Sequence, residues 1–292
     1  LPEIDRVFLT VALSLADRQV NAQVFEKKED KPRKLPNQPE ARFADGTKTR
    51  ITQNKFSLKN FIVGPENTFA HAAAIKVSET GVSDKKSYNP LFIHGGVGLG
   101  KTHLLQGIAN NMRRRNESAK IIYTTSERFM NEIVKAMKEK RTDELRKKYR
   151  QVDAFILDDI QFFENKEKTQ EELFNTFNDL YEFNKQIVFS ADRPPSELLG
   201  ISDRLRSRMG GGLLAEVKMP GFETKIAIIQ EKSAERSLIL PPDVQEFIAT
   251  NIRQNLRELE NILNQIGAEI EIRQTSPTIQ SVGKIFRSVN PS

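Results

Sequence analysis

Five short apolar runs in the middle of the chain alternate with segments of helical periodicity. The runs are typical of buried β-strands, and they cover Leu91–Ile93, Ile121–Tyr123, Ala154–Leu157, Ile187–Phe189 and Leu213–Val217. Between them, apolar side chains recur every three or four residues, as they do on the buried face of a helix. This alternation predicts an α/β fold with a five-stranded parallel sheet and helices on both of its faces.

The pattern changes at both ends of this region. Residues 1–52 combine one apolar stretch with a run of charges and prolines, which predicts a loosely ordered arm or linker. After residue 221 the strand-like runs stop, and helical patterns cover about 223–236, 242–252, 255–271 and 278–287. We therefore expect an N-terminal arm (1–52), a nucleotide-binding core (53–220) and a small helical lid (221–292).

A glycine-rich motif follows the first strand-like run and precedes a helical pattern. Residues 95–102 match G-x-x-x-x-G-K-[ST], and the glycines are Gly95, Gly96, Gly98 and Gly100. Glycines let consecutive backbone N–H groups point at phosphate oxygens, and the start of the following helix adds positive potential. We expect Lys101 to neutralise the β- and γ-phosphates and the Thr102 hydroxyl to hold Mg²⁺. In this strand–loop–helix setting the motif predicts a nucleoside triphosphate site.

Two carboxylates end the third strand-like run, 57 residues after Lys101. The carboxyl end of a buried parallel strand delivers side chains to the ligand edge of the sheet. Asp158 is the candidate ligand of Mg²⁺, and Asp159 is the candidate group for polarising the attacking water. Such a strand ending on its own fits a strand that enters an acidic turn equally well. Together with the glycine-rich loop, it predicts nucleotide hydrolysis.

Composition narrows the class of protein. The 292 residues include 38% hydrophobic side chains, enough for a sizeable core, and no cysteine, which excludes a disulfide scaffold and thiolate metal ligands. The three histidines, His71, His94 and His103, are too scattered along the sequence to suggest a zinc site. No run approaches the roughly 18 apolar residues of a membrane span and no signal peptide is visible, so the sequence predicts a soluble cytoplasmic protein.

Positive charge is concentrated locally. The net charge is only +6, but Lys135–Arg150 holds eight lysines and arginines against three acids, and Arg113–Arg115 is a compact cluster. Such a run is typical of a solvated helical face. It is also typical of a surface that binds the phosphate backbone of nucleic acids.

A set of short motifs resembles a known family. They read Asn60-Phe61-Ile62-Val63-Gly64, His103-Leu104-Leu105-Gln106, Ser126-Glu127-Arg128-Phe129, Asp158-Asp159-Ile160-Gln161-Phe162-Phe163, Asp192-Arg193-Pro194-Pro195, Arg204-Leu205-Arg206-Ser207-Arg208 and Asn255-Leu256-Arg257-Glu258-Leu259-Glu260. In this order, over residues 54–272, they resemble the AAA+ ATPases and in detail the DnaA family of bacterial replication initiators. The resemblance implies an AAA+ P-loop core followed by a small α-helical lid.

The same resemblance implies roles for single residues. ATP with Mg²⁺ is the implied cofactor, and Val63 would border the adenine. Asp192 falls at the sensor 1 position, Arg257 at the sensor 2 position of the lid, and Arg208 at the arginine finger that reaches the ATP of a neighbouring subunit.

DNA contacts are implied as well. In the family a helical insertion after the second strand lines a path for single-stranded DNA, and Val134 and Lys168 match its contact positions. The family usually has arginine where this chain has Lys168, so a planar bidentate contact becomes a point charge. A buried helix face explains the apolar spacing of this segment equally well, at Phe129, Met130, Ile133, Val134 and Met137.

The implied function is that of a weakly hydrolysing ATPase that assembles into an ATP-dependent helical homo-oligomer on single-stranded origin DNA. The family's terminal helix-turn-helix domain, which reads duplex DNA, is not expected within these 292 residues. The alternative is a DnaA-related regulatory or helicase-loading adaptor, whose partners would be the replicative helicase or initiator regulators. A P-loop enzyme acting on a small molecule is disfavoured, because no second catalytic constellation is present.

Overall fold

The structure is a computed structural model, and it describes residues 56–80, 88–252 and 255–289. All of them belong to one compact unit, Thr52–Ser292. The expectation of a loosely ordered arm over residues 1–52 lies outside the described residues.

Five parallel strands form one sheet, as the apolar runs predict. They are β1 (Leu91–His94), β2 (Ile121–Thr125), β3 (Ala154–Asp158), β4 (Gln186–Ala191) and β5 (Leu213–Glu216). Their order is β2-β3-β4-β1-β5, and each neighbouring pair is parallel. β3 and β4 are buried along their whole length, which explains the continuous apolar runs at 154–157 and 187–189. The order brings the carboxyl ends of β1, β3 and β4 side by side, where ligands of such sheets bind.

Helices cover both faces of the sheet. They are α1 (Thr68–Thr80), α2 (Lys101–Arg115), α3 (Ser126–Lys138), α4 (Thr142–Arg150), α5 (Glu167–Glu182) and α6 (Asp203–Gly210). Apolar residues of α1 and α2 pack with Leu91 and Ile93 on one face, whereas those of α3 to α6 pack with Phe92 on the other. Successive residues of β1 thus serve opposite layers, as the period of a strand requires.

Four further helices follow β5 and share a separate apolar cluster. They are α7 (Phe222–Ala234), α8 (Pro242–Asn251), α9 (Leu256–Arg273) and α10 (Ile279–Val289). These bounds differ from the expected ones by no more than a few residues, and the helical character of this region is confirmed. None of the helices within the described ranges is long and apolar enough to cross a lipid bilayer.

The apolar residues of α3 are partly buried in the core and partly exposed. Phe129, Met130 and Ile133 are buried against α4, α5 and the sheet. Val134 and Met137 remain 41% and 39% exposed, so the interpretation of all five as core is wrong. The reason is that α3 packs through one face only, which leaves two apolar side chains on its outer surface.

Candidate nucleotide-binding site

The glycine-rich loop joins β1 to α2 at the ligand edge of the sheet. Gly95, Gly98 and Gly100 have positive φ angles of 148°, 77° and 96°. Lys101, which is buried, donates hydrogen bonds from Nζ to the carbonyl oxygens of Gly95 at 2.7 Å and Gly96 at 2.8 Å. The lysine therefore curls back over its own loop, and its cation lies inside the loop.

The expected acidic residues lie close enough to Lys101 for their charges to act on it. Burial lowers the pKa of Lys101, and the nearby carboxylates of Asp159, Asp158 and Asp192 oppose this shift. The positive charge of Arg257 lowers the pKa of Lys101 further. Four acidic and basic side chains from distant parts of the sequence thus act on one ammonium group, as expected of a phosphate-binding site.

The lid touches the loop at one glycine. A Cβ atom added to Gly98 would lie 3.0 Å from Cβ of Asn255 and 3.3 Å from both the backbone nitrogen and Cγ of Arg257. Asn255 caps α9, since its Oδ1 accepts from the backbone N–H of Glu258 at 2.9 Å. The first turn of α9 is therefore held against the glycine-rich loop. Arg257 belongs to this turn and lies beside Gly98.

Asp158 is held from three sides. Its Oδ2 accepts from the hydroxyl of Thr102 at 2.8 Å and from that of Tyr123 at 2.9 Å, and its Oδ1 accepts from Ser190. The residue is only 2% exposed. Burial and then the charge of Asp158 raise the pKa of Tyr123, so that its hydroxyl stays a donor. Thr102 and Asp158 meet as the motif predicts.

Asp159 has a different environment from its neighbour. Its backbone lies in the left-handed region, with φ 62° and ψ 54°, and its N–H donates to the hydroxyl of Ser190 at 2.9 Å. Its Oδ1 accepts from Nε2 of Gln161 at 3.1 Å. Burial, followed by the negative charge of Asp158, raises the pKa of Asp159. A raised pKa on a carboxylate beside the loop favours a role as proton acceptor.

Asp192 lies at the end of β4, on the same edge of the sheet. Its carboxylate forms an ion pair with Arg193, through Nε at 2.9 Å and Nη2 at 3.0 Å. Its charge reaches Lys101. The position agrees with a group that senses nucleotide from beside the loop.

Four other expected residues lie on the surface. Arg208 is exposed on α6, and within the described ranges its side chain makes no hydrogen bond or ion pair. Val134 and Lys168 are exposed on α3 and α5. Val63 is 44% exposed. It precedes Gly64, which lies against Thr224 of the lid helix α7. The fold does not bring Arg208, Val134 or Lys168 into the site of their own chain.

Tyr123 and Ser190 are the residues that sequence reasoning missed. Tyr123 is the middle residue of β2, just before two threonines, and Ser190 is the last residue but one of β4. Ser190 is fully buried, and its hydroxyl links both acids, because it donates to Asp158 and accepts from Asp159. A buried serine such as Ser190 requires a hydrogen-bond partner, but the sequence does not identify that partner.

Two of the histidines meet at one ring. The Phe61 ring stacks on His71 at 5.6 Å and meets His103 edge-on at 5.4 Å. The Nε2 atoms of the histidines bond the carbonyl oxygens of Leu58 and Ser57, both at 2.8 Å. Both histidine rings therefore pack against Phe61 and bond the backbone.

The basic run is partly neutralised. Several of its members pair with carboxylates of α3, α4 and α5: Arg141 with Glu144, Arg146 and Arg150 with Glu172, and Lys148 with Glu132. Three exposed lysines of the run have no ion pair among the described residues: Lys138, Lys140 and Lys147. The nucleic-acid interpretation therefore applies to part of the run, because the rest holds three helices together.

The donor set fits a magnesium ion better than a protein-only metal centre. No group of three or more His, Cys, Asp or Glu side chains in the described part of the chain is placed to hold a metal. Thr102 Oγ1 and Asp158 Oδ2, 2.8 Å apart, offer hard oxygen ligands beside Lys101. Mg²⁺ takes few protein ligands and shares the rest with water and phosphate, which matches this arrangement.

Comparisons with known proteins agree with this geometry. The family model described as the bacterial DnaA ATPase domain matches residues 52–216. Domain III of the Thermotoga maritima replication initiation protein DnaA has a TM-score of 0.76 and 38% identity, with 81% of this chain and 97% of that chain covered. A replication initiator DnaA bound to AMPPCP and single-stranded DNA has a TM-score of 0.68 and 39% identity, with coverages of 76% and 68%.

A more distant likeness supports the fold alone. A RuvB variant from Thermotoga maritima has a TM-score of 0.60 and 18% identity, with 80% of this chain and 71% of that chain covered. The fold, the loop with its two acids and these matches lead to one conclusion: the chain belongs to the DnaA family of bacterial replication initiators and contains their AAA+ ATPase domain.

Proposed function

We propose that this protein uses ATP with Mg²⁺ as an assembly switch that forms a helical homo-oligomer on single-stranded origin DNA. The observation that carries the proposal is the arrangement of Lys101, Thr102 and Asp158 at one end of the sheet, with the lid residue Arg257 beside it. Slow hydrolysis of the nucleotide then ends the assembled state.

The residues of the loop divide the work of binding. Lys101 exchanges its two carbonyl partners for phosphate oxygens, which carry more negative charge. Thr102 and Asp158 hold Mg²⁺, and bound ATP supplies the phosphoryl group whose transfer to water is the reaction. Asp159 orients that water and accepts its proton, a role that its raised pKa favours.

Three further residues connect the nucleotide to the state of the protein. Asp192, beside the loop, senses the γ-phosphate, and Arg257 carries the same information to the lid. Val63 borders the adenine. The positions of Asp192 and Arg257 near Lys101 and at the contact between loop and lid support the first two roles, and the family resemblance supports that of Val63.

Arg208 makes the switch depend on a neighbour. Its exposed side chain makes no bond in the nucleotide site of its own chain, so it is available to a second subunit. An arginine that reaches the phosphates of an adjacent subunit stabilises charge only when ATP is bound. Assembly then requires ATP in the adjacent subunit, although Arg208 does not contact the nucleotide bound by its own chain.

The DNA surface consists of exposed residues on α3 and α5. Val134 offers an apolar contact and Lys168 a cation, and the unpaired lysines of the basic run can follow the phosphates. The similar DnaA bound to AMPPCP and single-stranded DNA supports single-stranded DNA as the ligand.

The adaptor remains the second candidate, since ion pairs already engage five of the eight cations of the basic run. A salt titration of oligonucleotide binding with ATP, for the parent and three variants, separates the two functions. The parent should bind with a log–log slope of about −0.7 per phosphate neutralised. Lys168→Ala should reduce the slope by about one such unit, and Val134→Ala should weaken binding without changing it, because an apolar contact releases no counterion.

Lys218→Ala is the matched control. Lys218 is an exposed lysine that follows β5, the edge strand opposite β2 and α3, so its loss should leave the slope unchanged. A parent without ATP-dependent affinity at low salt would replace the initiator with the adaptor. A slope that changes equally in the Lys168 and Lys218 variants would reject the proposed DNA surface.

A further inference from the structure

The carboxylate of Asp158 belongs to a chain of hydrogen bonds that begins and ends on α2. Oδ2 accepts from Thr102 at 2.8 Å and from the hydroxyl of Tyr123 at 2.9 Å. The hydroxyl of Tyr123 in turn accepts from Nε2 of Gln106 at 3.2 Å. Gln106 lies one helical turn after Thr102 on α2, so both side chains leave the same face of that helix.

This chain joins three elements around a single oxygen atom. Tyr123 comes from β2 and pairs in register with Ile156, two residues before Asp158 on β3. α2 supplies the other two members, so the glycine-rich loop, its helix and both strands are tied to Oδ2. A change in the direction of that carboxylate would therefore break a bond to each of the two neighbouring elements.

Groups that hold a metal ligand control how well it binds the metal. A buried carboxylate can rotate about its last side-chain bond, and each donor fixed on one oxygen removes part of that freedom. Loss of such an outer partner typically lowers metal affinity or activity about 10- to 100-fold. Tyr123 fits this role because its ring is rigid, its donor lies on the same oxygen as Thr102, and its own position is fixed by Gln106.

We propose that Tyr123 is a positioning residue that orients Asp158 for Mg²⁺, with Gln106 as its support. The inference rests on the proposed assignment of Thr102 and Asp158 as the residues that hold Mg²⁺. It extends the site to a strand that carries no residue of the nucleotide motifs.

The chain contains a matched control for the loss of a tyrosine hydroxyl. Tyr149 on α4 is buried, whereas Tyr123 is half-buried, and it also donates to a carboxylate, that of Glu132, at 2.8 Å. Glu132 bonds Arg128 and Lys148 and has no hydrogen bond to the loop. Tyr149→Phe therefore removes the same chemical bond at a distance from the metal ligands.

The test measures binding of a fluorescent ATP analogue to the full chain while free Mg²⁺ is varied, with parallel measurements in a chelator. Tyr123→Phe should raise the Mg²⁺ concentration for half-maximal binding by about 10-fold or more and leave the affinity in chelator unchanged. Tyr149→Phe should change neither quantity. Gln106→Met should shift the Mg²⁺ requirement in the same direction by a smaller factor, because it loosens Tyr123 without removing its hydroxyl.

Three results would overturn the proposal. The first is an unchanged Mg²⁺ requirement in a folded Tyr123→Phe; if that variant does not fold, an unchanged requirement in Gln106→Met has the same meaning. The second is an equal shift in Tyr123→Phe and Tyr149→Phe, which would indicate a general effect on the fold. The third is a parent whose binding ignores Mg²⁺, and this result alone would also remove the metal assignment on which the inference rests.

Discussion

Two glycines of the loop should respond in opposite ways to the same substitution. Gly96 and Gly98 both stand at variable positions of the motif. Gly98 has φ +77°, and a Cβ there would meet Asn255 at 3.0 Å and Arg257 at 3.3 Å. Gly96 does not have a positive φ, and its Cβ would meet only the Leu99 side chain, at 3.4 Å, which is ordinary contact.

The structure sets the size of the effect. Left-handed backbone costs a residue with a Cβ roughly 1–2 kcal/mol, and the close contact with the lid adds to it, so we expect about 1–3 kcal/mol for Gly98→Ala. In a domain of this size each 1 kcal/mol lowers Tm by about 2–4 °C. Gly96→Ala should stay within about 0.5 kcal/mol of the parent or be slightly stabilising.

ATP affinity should follow the contact between loop and lid. If the same 1–3 kcal/mol opposes the arrangement of Gly98 against α9, the affinity for ATP falls about 5- to 150-fold. Asn255→Gly removes the Cβ that a new alanine would meet and costs only a few tenths of a kcal/mol as a cap. The double variant Gly98→Ala/Asn255→Gly should therefore lose less affinity than the two single changes predict together.

Thermal unfolding and equilibrium binding of labelled ATP measure these quantities. Equal losses in Gly96→Ala and Gly98→Ala would refute the reasoning, since the motif alone treats the two positions alike. Strict additivity in the double variant would show that the cost of Gly98→Ala arises in the loop backbone and not at the lid.

Three other expected outcomes follow from the site and its surroundings. Lys101→Ala removes the main side-chain cation, so affinity for labelled ATP should fall about 10- to 150-fold, from a charged hydrogen bond of about 1.5–3 kcal/mol; unchanged affinity would contradict the loop assignment. Arg208→Ala should leave ATP affinity of the monomer intact and abolish ATP-dependent assembly in sedimentation, whereas Arg273→Ala on the lid should affect neither; a monomer that no longer binds ATP would assign Arg208 to its own site. Burial alone would raise the pKa of Glu132, but hydrogen bonds from Lys148, Tyr149 and Arg128 together lower it. A lowered acid pKa contributes stability above the ordinary glutamate value of about 4.3 and loses it as the pH falls through the folded value. Acid unfolding of Glu132→Gln, followed below about pH 4.3, should therefore depend less steeply on pH than that of the parent, and an identical profile would contradict the assigned pairing.

Contiguous stretches of the sequence were enough to predict the fold class. The strand runs, the helical segments after residue 221 and the glycine-rich loop are local patterns, because periodicity and phosphate binding each depend on neighbouring residues. Thr102 and Asp158 could also be paired in advance, since the carboxyl ends of parallel strands meet at one edge of the sheet.

Features that depend on residues far apart in the chain came only from the tertiary structure. Tyr123 and Ser190 hold Asp158 across 35 and 32 residues of sequence, and no local pattern distinguishes them from other polar residues in strands. In the sequence, the basic run likewise resembles a uniform charged surface. In the fold, Glu172 of α5 pairs with two of its arginines.

The glycines of the loop illustrate the same division. The sequence by itself determined that a phosphate-binding loop precedes α2, because glycine, lysine and threonine at that spacing have few other uses. Only the fold decided that Gly98, and not Gly96, lies under the first turn of α9, 157 residues away in the case of Asn255. The physical reason is that a phosphate-binding loop depends on the backbone and side chains of adjacent residues. Close packing depends instead on which distant segments the fold brings into contact.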